Sequence, residues 1–271
     1  LNRSIPVMTG SEAILSNIGE TRNRGIELSL SASLIQNSKF SWNGSLVFSH
    51  NKNEIVHLTL GDADGDGTED DDIANEWFIG QPIEVEYDYV FDGIYQEGDD
   101  LPDGYKPGFV KVKDLDEDGV ITPSGDRQVI GNKEPLYRWG LTNEFSYGNF
   151  SLSVFLNAMQ GWIATSTFMA PYANFPGRPA NFYDRGWWTA ENKSNENPSL
   201  VYNNPLGMDL YESRDFIRVQ DVSLSYQFNK DILSKLKVKN LRVYVSGRNL
   251  WTFTKWPGFD PEPTVATSVG L

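Results

Sequence analysis

The chain has 271 residues, 39% of them hydrophobic and 13% aromatic, with 37 Asp and Glu against 23 Lys and Arg for a formal net charge of −14. That length suits one large domain or two ordinary ones. The absence of cysteine excludes disulfide frameworks, thiolate metal sites and cysteine nucleophiles. The two histidines, His50 and His57, read as ordinary surface residues and give no footing to a zinc site or a Ser-His-Asp triad.

The opening LNRSIPVMTG lacks a basic stretch followed by an apolar one. No signal peptide is expected there, and the chain reads as mature or as a piece of something longer. From Gly25 to Leu34, GIELSLSASL alternates: Ile26, Leu28, Leu30, Ala32 and Leu34 share one face, while Glu27, Ser29, Ser31 and Ser33 share the other. A period of two is a strand with one apolar and one polar side. After the turn QNSK, Phe40, Trp42, Leu46 and Phe48 continue the apolar face, so the two runs predict a hairpin.

The alternation then breaks. Residues 60–130 read as a long Asp- and Gly-rich loop with short candidate strands such as IEVEYDYVFDGIY. Between Asn53 and Tyr105 stand 17 Asp and Glu and no Lys or Arg, so the acidity belongs to one region. Such a region repels nucleic acid phosphates and attracts divalent cations, and no nucleic-acid partner is expected.

A second hairpin is predicted from Tyr137, Trp139, Leu141, Phe145 and Tyr147, with Asn143 interrupting, followed by the turn Gly148-Asn149 and by Phe150, Leu152, Val154 and Leu156. Residues 161–208 read as a second long loop, rich in Pro, Asn and aromatics. A third hairpin pairs Asp221–Phe228 with Leu241–Leu250, and DILSKLKV between them suits one or two helical turns. No run of about 18 apolar residues exists, so no transmembrane helix is expected. Strands of about ten residues, turns short at one end and loops long at the other, and aromatics at strand ends all fit an antiparallel transmembrane β-barrel with long extracellular loops. Alternation alone fits a soluble all-β domain equally well.

Several phrases resemble one family. NLRVYVSGRNLWTFTKWPGFDPE and DFIRVQDVSLSYQF are similar to the near-terminal region of SusC-like (RagA/SusC) TonB-dependent outer-membrane transporters. GQPIEVEYDYVFDGIYQ, the stretch from PGFVKVKDLDEDGV through FLNAMQG, and NIGETRNRGIELSLSAS with WNGSLVFSHNKNEIVHL resemble it in the same order. The resemblance implies a barrel of about 22 strands with a plug inside. It implies import of glycans, oligosaccharides or peptides driven through TonB, a SusD-like lipoprotein lid, and a place in the bacterial outer membrane. About eight to ten strands of such a barrel fit in this length. Residues 1–271 are therefore expected to be a carboxy-terminal barrel portion lacking the plug, the TonB box and the final strand or strands. No enzyme activity and no organic cofactor are expected.

Among candidate sites, Asp114, Asp116 and Asp118 with Gly119 and the Val120 carbonyl match the front half of a calcium loop. Gly125 stands where a Glu is expected, and Asp126, one place later, is the candidate to close the shell around calcium or magnesium. Asp62, Asp64 and Asp66 repeat the front half more weakly. Both have an ordinary alternative, an Asp-rich turn held by its own backbone. Trp162, Phe168, Tyr172, Phe175, Phe182, Tyr183, Trp187 and Trp188, with Asn174, Asn181 and Arg185, offer stacking and hydrogen bonding to sugars or simply loop packing. Glu84 and Glu86 are spaced as a carboxylate pair, which chance explains among 37 acids. Arg218 and Arg242 are expected to face the lumen. A calcium-stabilised soluble glycan-binding β-domain and a secreted hydrolase are the competing readings.

Overall fold

A computed structural model describes residues 2–4, 8, 13–15, 19–58, 61–62, 65–165 and 185–262. A short antiparallel ribbon, β1 (Asn2–Ser4) with β2 (Ala13–Leu15), precedes β3 (Gly19–Gln36) and β4 (Phe40–Leu58). The 61–136 segment carries β5 (Val85–Tyr89), β6 (Phe91–Ile94), β7 (Val110–Val112) and β8 (Arg127–Asn132). Then follow β9 (Tyr137–Tyr147), β10 (Phe150–Gln160), β11 (Ile163–Thr165), β12 (Tyr211–Ser213), β13 (Phe216–Gln227), helix α1 (Lys230–Leu236) and β14 (Arg242–Thr254).

The long strands form one six-stranded antiparallel sheet in the order β14-β13-β10-β9-β4-β3. Each pairs with the next long strand in the chain, an up-and-down meander. The register lines residues up in rows. Leu30, Leu46, Leu141, Leu156, Val219 and Trp251 form one row across all six strands. Ser33, Asn43, Glu144, Ser153, Ser223 and Ser246 form a row on the opposite face. At the short-turn end of the apolar face runs an aromatic row, Phe40, Tyr147, Phe150 and Tyr226, with Phe150 and Tyr226 rings 4.7 Å apart.

Asn143 interrupts the apolar face where the register leaves room for it. It stands opposite Gly44 and accepts a 3.0 Å hydrogen bond from Trp42 Nε1. Gly44 is overlaid by Leu34, which a bulge between Ser33 and Ile35 leaves unpaired: a Cβ at Gly44 would lie 3.2 Å from Leu34 Cδ1. The same arrangement recurs on β14. A register shift opposite Val219 and Asp221 frees Leu250 to lean over Gly247, whose Cβ would lie 2.7 Å from Leu250 Cδ2.

The three turns are stitched into one end of the sheet. Gly148 N donates to Lys39 O at 3.0 Å, Gln227 N to Asn149 O at 2.9 Å, and Asn149 Nδ2 to Gln227 O at 2.7 Å. Gly148 takes the positive φ of 56° that its tight turn needs.

The apolar face of this sheet is not covered. Leu30 is 53% and Val245 66% exposed. A large side chain left in water forgoes about 1.5–3 kcal/mol, so this face requires an apolar surround. The buried core lies instead at the other end, where the 61–136 and 185–215 segments meet. Tyr89, Ile94, Phe109, Val110, Val112, Tyr202 and Met208 form it, with the Phe109 and Tyr202 rings edge to face at 5.2 Å. Ribbons β5–β8, β6–β7 and β11–β12 frame it. Asn195 Oδ1 accepts from Ile94 N at 3.0 Å, and Trp188 Nε1 donates to Gln96 Oε1 at 2.9 Å, joining the two segments.

The first hairpin is longer than its apolar pattern. β3 and β4 run on past Gly25 and His50 as polar ribbon, held by the Arg22–Glu54 ion pair and by a 2.8 Å bond from Asn53 Nδ2 to Asn23 Oδ1. Its β4 side is covered by the loop segment: Ile55 and Leu58 are each 1% exposed, and Ile55 exchanges backbone hydrogen bonds with Gly80 and Gln81.

Candidate functional site

The Asp114–Asp126 loop leaves β7 and returns to β8. Backbone geometry shapes it: Glu117 and Gly119 adopt positive φ of 59° and 83°, reversing the chain tightly. Gly119 N donates to Asp114 Oδ2 at 2.8 Å, and Val120 N to Asp118 Oδ1 at 2.7 Å. Each of Asp114, Asp116 and Asp118 offers a carboxylate oxygen, and these oxygens all lie within 4.8 Å of one another. That is the span available to oxygens each about 2.4 Å from a shared calcium ion. Asp114 Oδ1 is buried and has no hydrogen-bond partner. Desolvation, with the neighbouring carboxyl groups of Asp118, Asp126 and Asp114, raises the Asp116 pKa. Three like charges held together are unfavourable unless a cation joins them, so the donor set fits a hard, oxygen-seeking ion.

Asp126 is fully buried beneath this loop. Its Oδ1 accepts from Leu115 N at 2.7 Å and its Oδ2 from Thr122 N at 2.6 Å. It therefore clasps the two arms of the loop, and each oxygen keeps a second lone pair. Gly125 is required here, because any side chain would meet the Asp116 carboxylate.

In the other acidic turn, Asp62 receives Gly65 N at 2.7 Å, Asp66 N at 3.1 Å and Gly67 N at 3.0 Å, and Asp66 Oδ1 receives Thr68 N at 2.8 Å. These carboxylates hold their own backbone. Asp64 lies outside the described residues.

A second polar cleft, of about 280 Å³, lies between β5 and the chain before β12, lined by Glu76, Glu86, Asp88, Arg127, Asp209 and Tyr211 among others. Buried Asp88 Oδ2 accepts from Asp209 N at 2.8 Å and from Tyr211 Oη at 3.3 Å. Burial raises the pKa values of Glu86, Asp209 and Tyr211, and Asp88 adds to each. Glu84 lines a different cavity, with Asn51 and Pro82, so Glu84 and Glu86 do not face one space.

On the hydroxyl face, Arg218 and Arg242 sit among strand hydroxyls. Arg242 Nη2 donates to Ser225 Oγ at 2.9 Å, and Arg218 Nε to Thr252 Oγ1 at 3.0 Å. Arg218 also grips Glu262 at 2.6 Å and pairs with Asp260, so the segment after β14 folds back over it and leaves it 4% exposed. Of the loop aromatics, Trp162 packs under the Arg214 guanidinium, 4.7 Å from it, and Trp188 packs on the loop core. Arg185 donates to Glu212 at 2.9 Å. Phe168, Tyr172, Asn174, Phe175, Asn181, Phe182 and Tyr183 lie outside the described residues. The Asp88 cleft and the acidic partners of Arg218 are absent from the sequence reading, since they join residues 42 to 123 positions apart.

No family model matches the chain. It is 31% identical to TonB-dependent receptor P3 of Formosa agariphila over 96% of its own length and 27% of that protein's. It is 28% identical to TonB-dependent receptor SusC of Bacteroides thetaiotaomicron over 95% of its length and 26% of the relative's. The chain thus spans little more than a quarter of the curated relatives it matches. Its fold is shared with solved structures of the RagAB peptide transporter. One superposes at a TM-score of 0.66 with 23% identity, and the open-open state superposes at 0.69 with 22%; they cover 95% and 96% of this chain, and 28% of the solved chain in each case. The exposed apolar face, the hydroxyl face behind it and this likeness over almost the whole length agree: the chain is similar to one stretch of TonB-dependent receptors, SusC among them, and shares its fold with the matching part of the RagAB transporter.

Proposed function

We propose that this chain supplies wall strands and extracellular loops to a TonB-dependent importer in the bacterial outer membrane. The observation that carries the reading is the sheet with one uncovered apolar face and one hydroxyl face. Lipid suits the first and a watery or plug-filled lumen the second. Among the described residues, edge strands β3 and β14 each pair on one side only, and lipid does not tolerate free edges. Further strands, to a total of about 22, close the wall in this proposal. The substrate class is glycans, oligosaccharides or peptides, with peptides supported by the RagAB likeness. The partners are a SusD-like surface lipoprotein and, through other parts of the protein, TonB.

The same proposal assigns calcium or magnesium to Asp114, Asp116, Asp118 and the Val120 carbonyl, with Asp126 closing the shell. Its support is the converging carboxylates and the orphaned Asp114 Oδ1. A bound divalent ion neutralises the cluster and stiffens the loop. Asp62, Asp64 and Asp66 are assigned a weaker second site, because Asp62 already holds three backbone N–H groups.

These 271 residues contain no cysteine, so a reporter cysteine placed in them is the only one in this stretch, and any cysteine elsewhere in the full-length protein is first replaced by serine. Single cysteines at Leu30, Leu46 and Val245, and at Ser31, Ser45 and Ser246, are placed in the full-length protein in outer-membrane vesicles. The first group is expected to react only with lipid-soluble maleimides and the second with water-soluble ones. Equal aqueous labelling of both groups, or recovery of the protein without detergent, overturns the reading and favours a soluble β-domain.

A further inference from the structure

The turn between β13 and β14 is unlike the other two at its end of the sheet. The β9–β10 turn is two residues, whereas this one contains α1 and four lysines, Lys230, Lys235, Lys237 and Lys239, against the single acid Asp231. All four lysines are exposed, and none makes an ion pair among the described residues. Lys39, in the β3–β4 turn, is exposed at the same end, tied to this turn through Gly148 and Asn149. The chain is strongly acidic as a whole and its acidity lies at the opposite end of the sheet, so this basic cluster is a local exception.

The helix is built to stay in place. Asn229 caps it by accepting from Ile232 N at 3.2 Å, and Lys237 in the left-handed conformation closes it. At 100° per residue, Ile232, Leu233 and Leu236 fall in one arc of about 100°, with Lys230, Ser234 and Lys235 opposite. Leu233, in the apolar arc, is covered at 8% exposure, while its flanking residues Ile232 and Leu236 are 37% and 55% exposed. The turn emerges directly from the aromatic row: Tyr226 and Phe228 rings stand edge to face 5.0 Å apart. Exposed apolar residues beside unpaired lysines, at the rim of a face that needs lipid, form an interfacial surface.

We infer that this turn is a seat for anionic phospholipid headgroups, with Lys230, Lys235, Lys237 and Lys239 holding the phosphodiester and Ile232 and Leu236 dipping among the acyl chains. The inference rests on the barrel reading above, in which short turns lie on the periplasmic side and so meet the inner leaflet. Charge selects the occupant: zwitterionic headgroups carry no net charge for four ammonium groups to neutralise.

The test uses the full-length transporter in nanodiscs of phosphatidylethanolamine with a minor fraction of phosphatidylglycerol. Lipids retained on mild detergent extraction are identified by native mass spectrometry. Wild type is expected to retain phosphatidylglycerol about tenfold above its bulk share. The K230Q/K235Q/K237Q/K239Q variant is expected to fall to the bulk ratio, and the corresponding four Lys→Arg variant to keep the enrichment. Independently, the tryptophan emission that L236W adds over wild type, which already has eight tryptophans in this chain, is quenched more strongly by brominated phosphatidylglycerol than by brominated phosphatidylethanolamine. Equal enrichment in wild type and the glutamine variant, or equal quenching by both lipids, overturns the inference while leaving the barrel intact. Loss of transport in the glutamine variant without any change in lipid overturns it too, and points to an acidic protein partner. Failure of the protein to enter the bilayer at all defeats the barrel reading itself.

Discussion

The six-stranded sheet and the loop region solve the burial problem in opposite ways. In the sheet, Leu30 and Val245 stay largely exposed, and among the described residues neither buried apolar cluster draws on its strands. In the loops, Phe109, Val110, Tyr202 and Met208 are nearly sealed from solvent, although the segment is the most acidic in the chain. The loops obey water: they gather scattered apolar residues inward. The sheet leaves its apolar face uncovered and keeps its hydroxyls on the other, which is what the proposed place in an apolar solvent calls for. One chain therefore contains two folding problems, and substitutions should sort cleanly between them.

The largest effect is expected from Phe109→Ala. It removes a ring packed on Tyr202 and Tyr105 and should cost the loop region about 3–5 kcal/mol, read as loss of hydrogen-exchange protection around β6 and β7. Membrane insertion of the sheet should be unchanged; if insertion fails too, the two regions are not independent. Next, Leu141→Arg, in the middle of the central apolar row, should destabilise the membrane-embedded barrel by about 2–4 kcal/mol, while Thr142→Arg, one residue along on the hydroxyl face, should be near neutral. Urea unfolding in lipid vesicles measures both, and equal effects would erase the distinction between the faces. Removing the Arg218 clamp with Arg218→Ala leaves the Asp260 and Glu262 carboxylates without their cation, a loss of about 1–3 kcal/mol confined to protection of the segment after β14. Asp114→Asn should abolish the drop in loop melting temperature that chelator causes in wild type. A wild-type melting point that chelation does not move would remove the metal.

The smallest effect concerns pH. Glu86 and Asp209 have folded-state pKa values raised by burial. Such groups bind protons more readily when folded. Their contribution is therefore greatest below the ordinary carboxyl pKa and is lost as pH rises through the raised value. Hydrogen-exchange protection at the β5–Asp209 contact, taken relative to the unfolded-chain rate at each pH, should rise between pH 7 and 4, and Glu86→Gln should weaken that dependence.

These contrasts also explain what the sequence made legible. The hairpins Tyr137–Tyr147 and Phe150–Gln160 stand out because each has one apolar and one polar face, which writes a period of two into the residues. The outer parts of β3 and β4 carry no such mark in Arg22, Asn23 and Asn53, and the burial of Ile55 and Leu58 there comes from the 79–81 segment, distant in the pattern, rather than from a continued apolar face. The loop core has a boundary, but it is assembled from residues about 100 positions apart, as Phe109 and Tyr202 are, so no local window contains it. Asp114, Asp116 and Asp118 were visible because their spacing is local. The role of Asp126 as a clasp on Leu115 and Thr122 was not, because it depends on where backbone N–H groups point.

Near the two margins of the sheet, Gly44 and Gly247 remove a side chain from the same transverse row, and Leu34 and Leu250 from neighbouring bulges refill the space. Bulged strands bend most readily where the backbone bears no Cβ. The sheet thus carries two pre-set creases, each refilled by a borrowed leucine, and in the proposed wall it could arc toward flanking strands without leaving a gap on its apolar face.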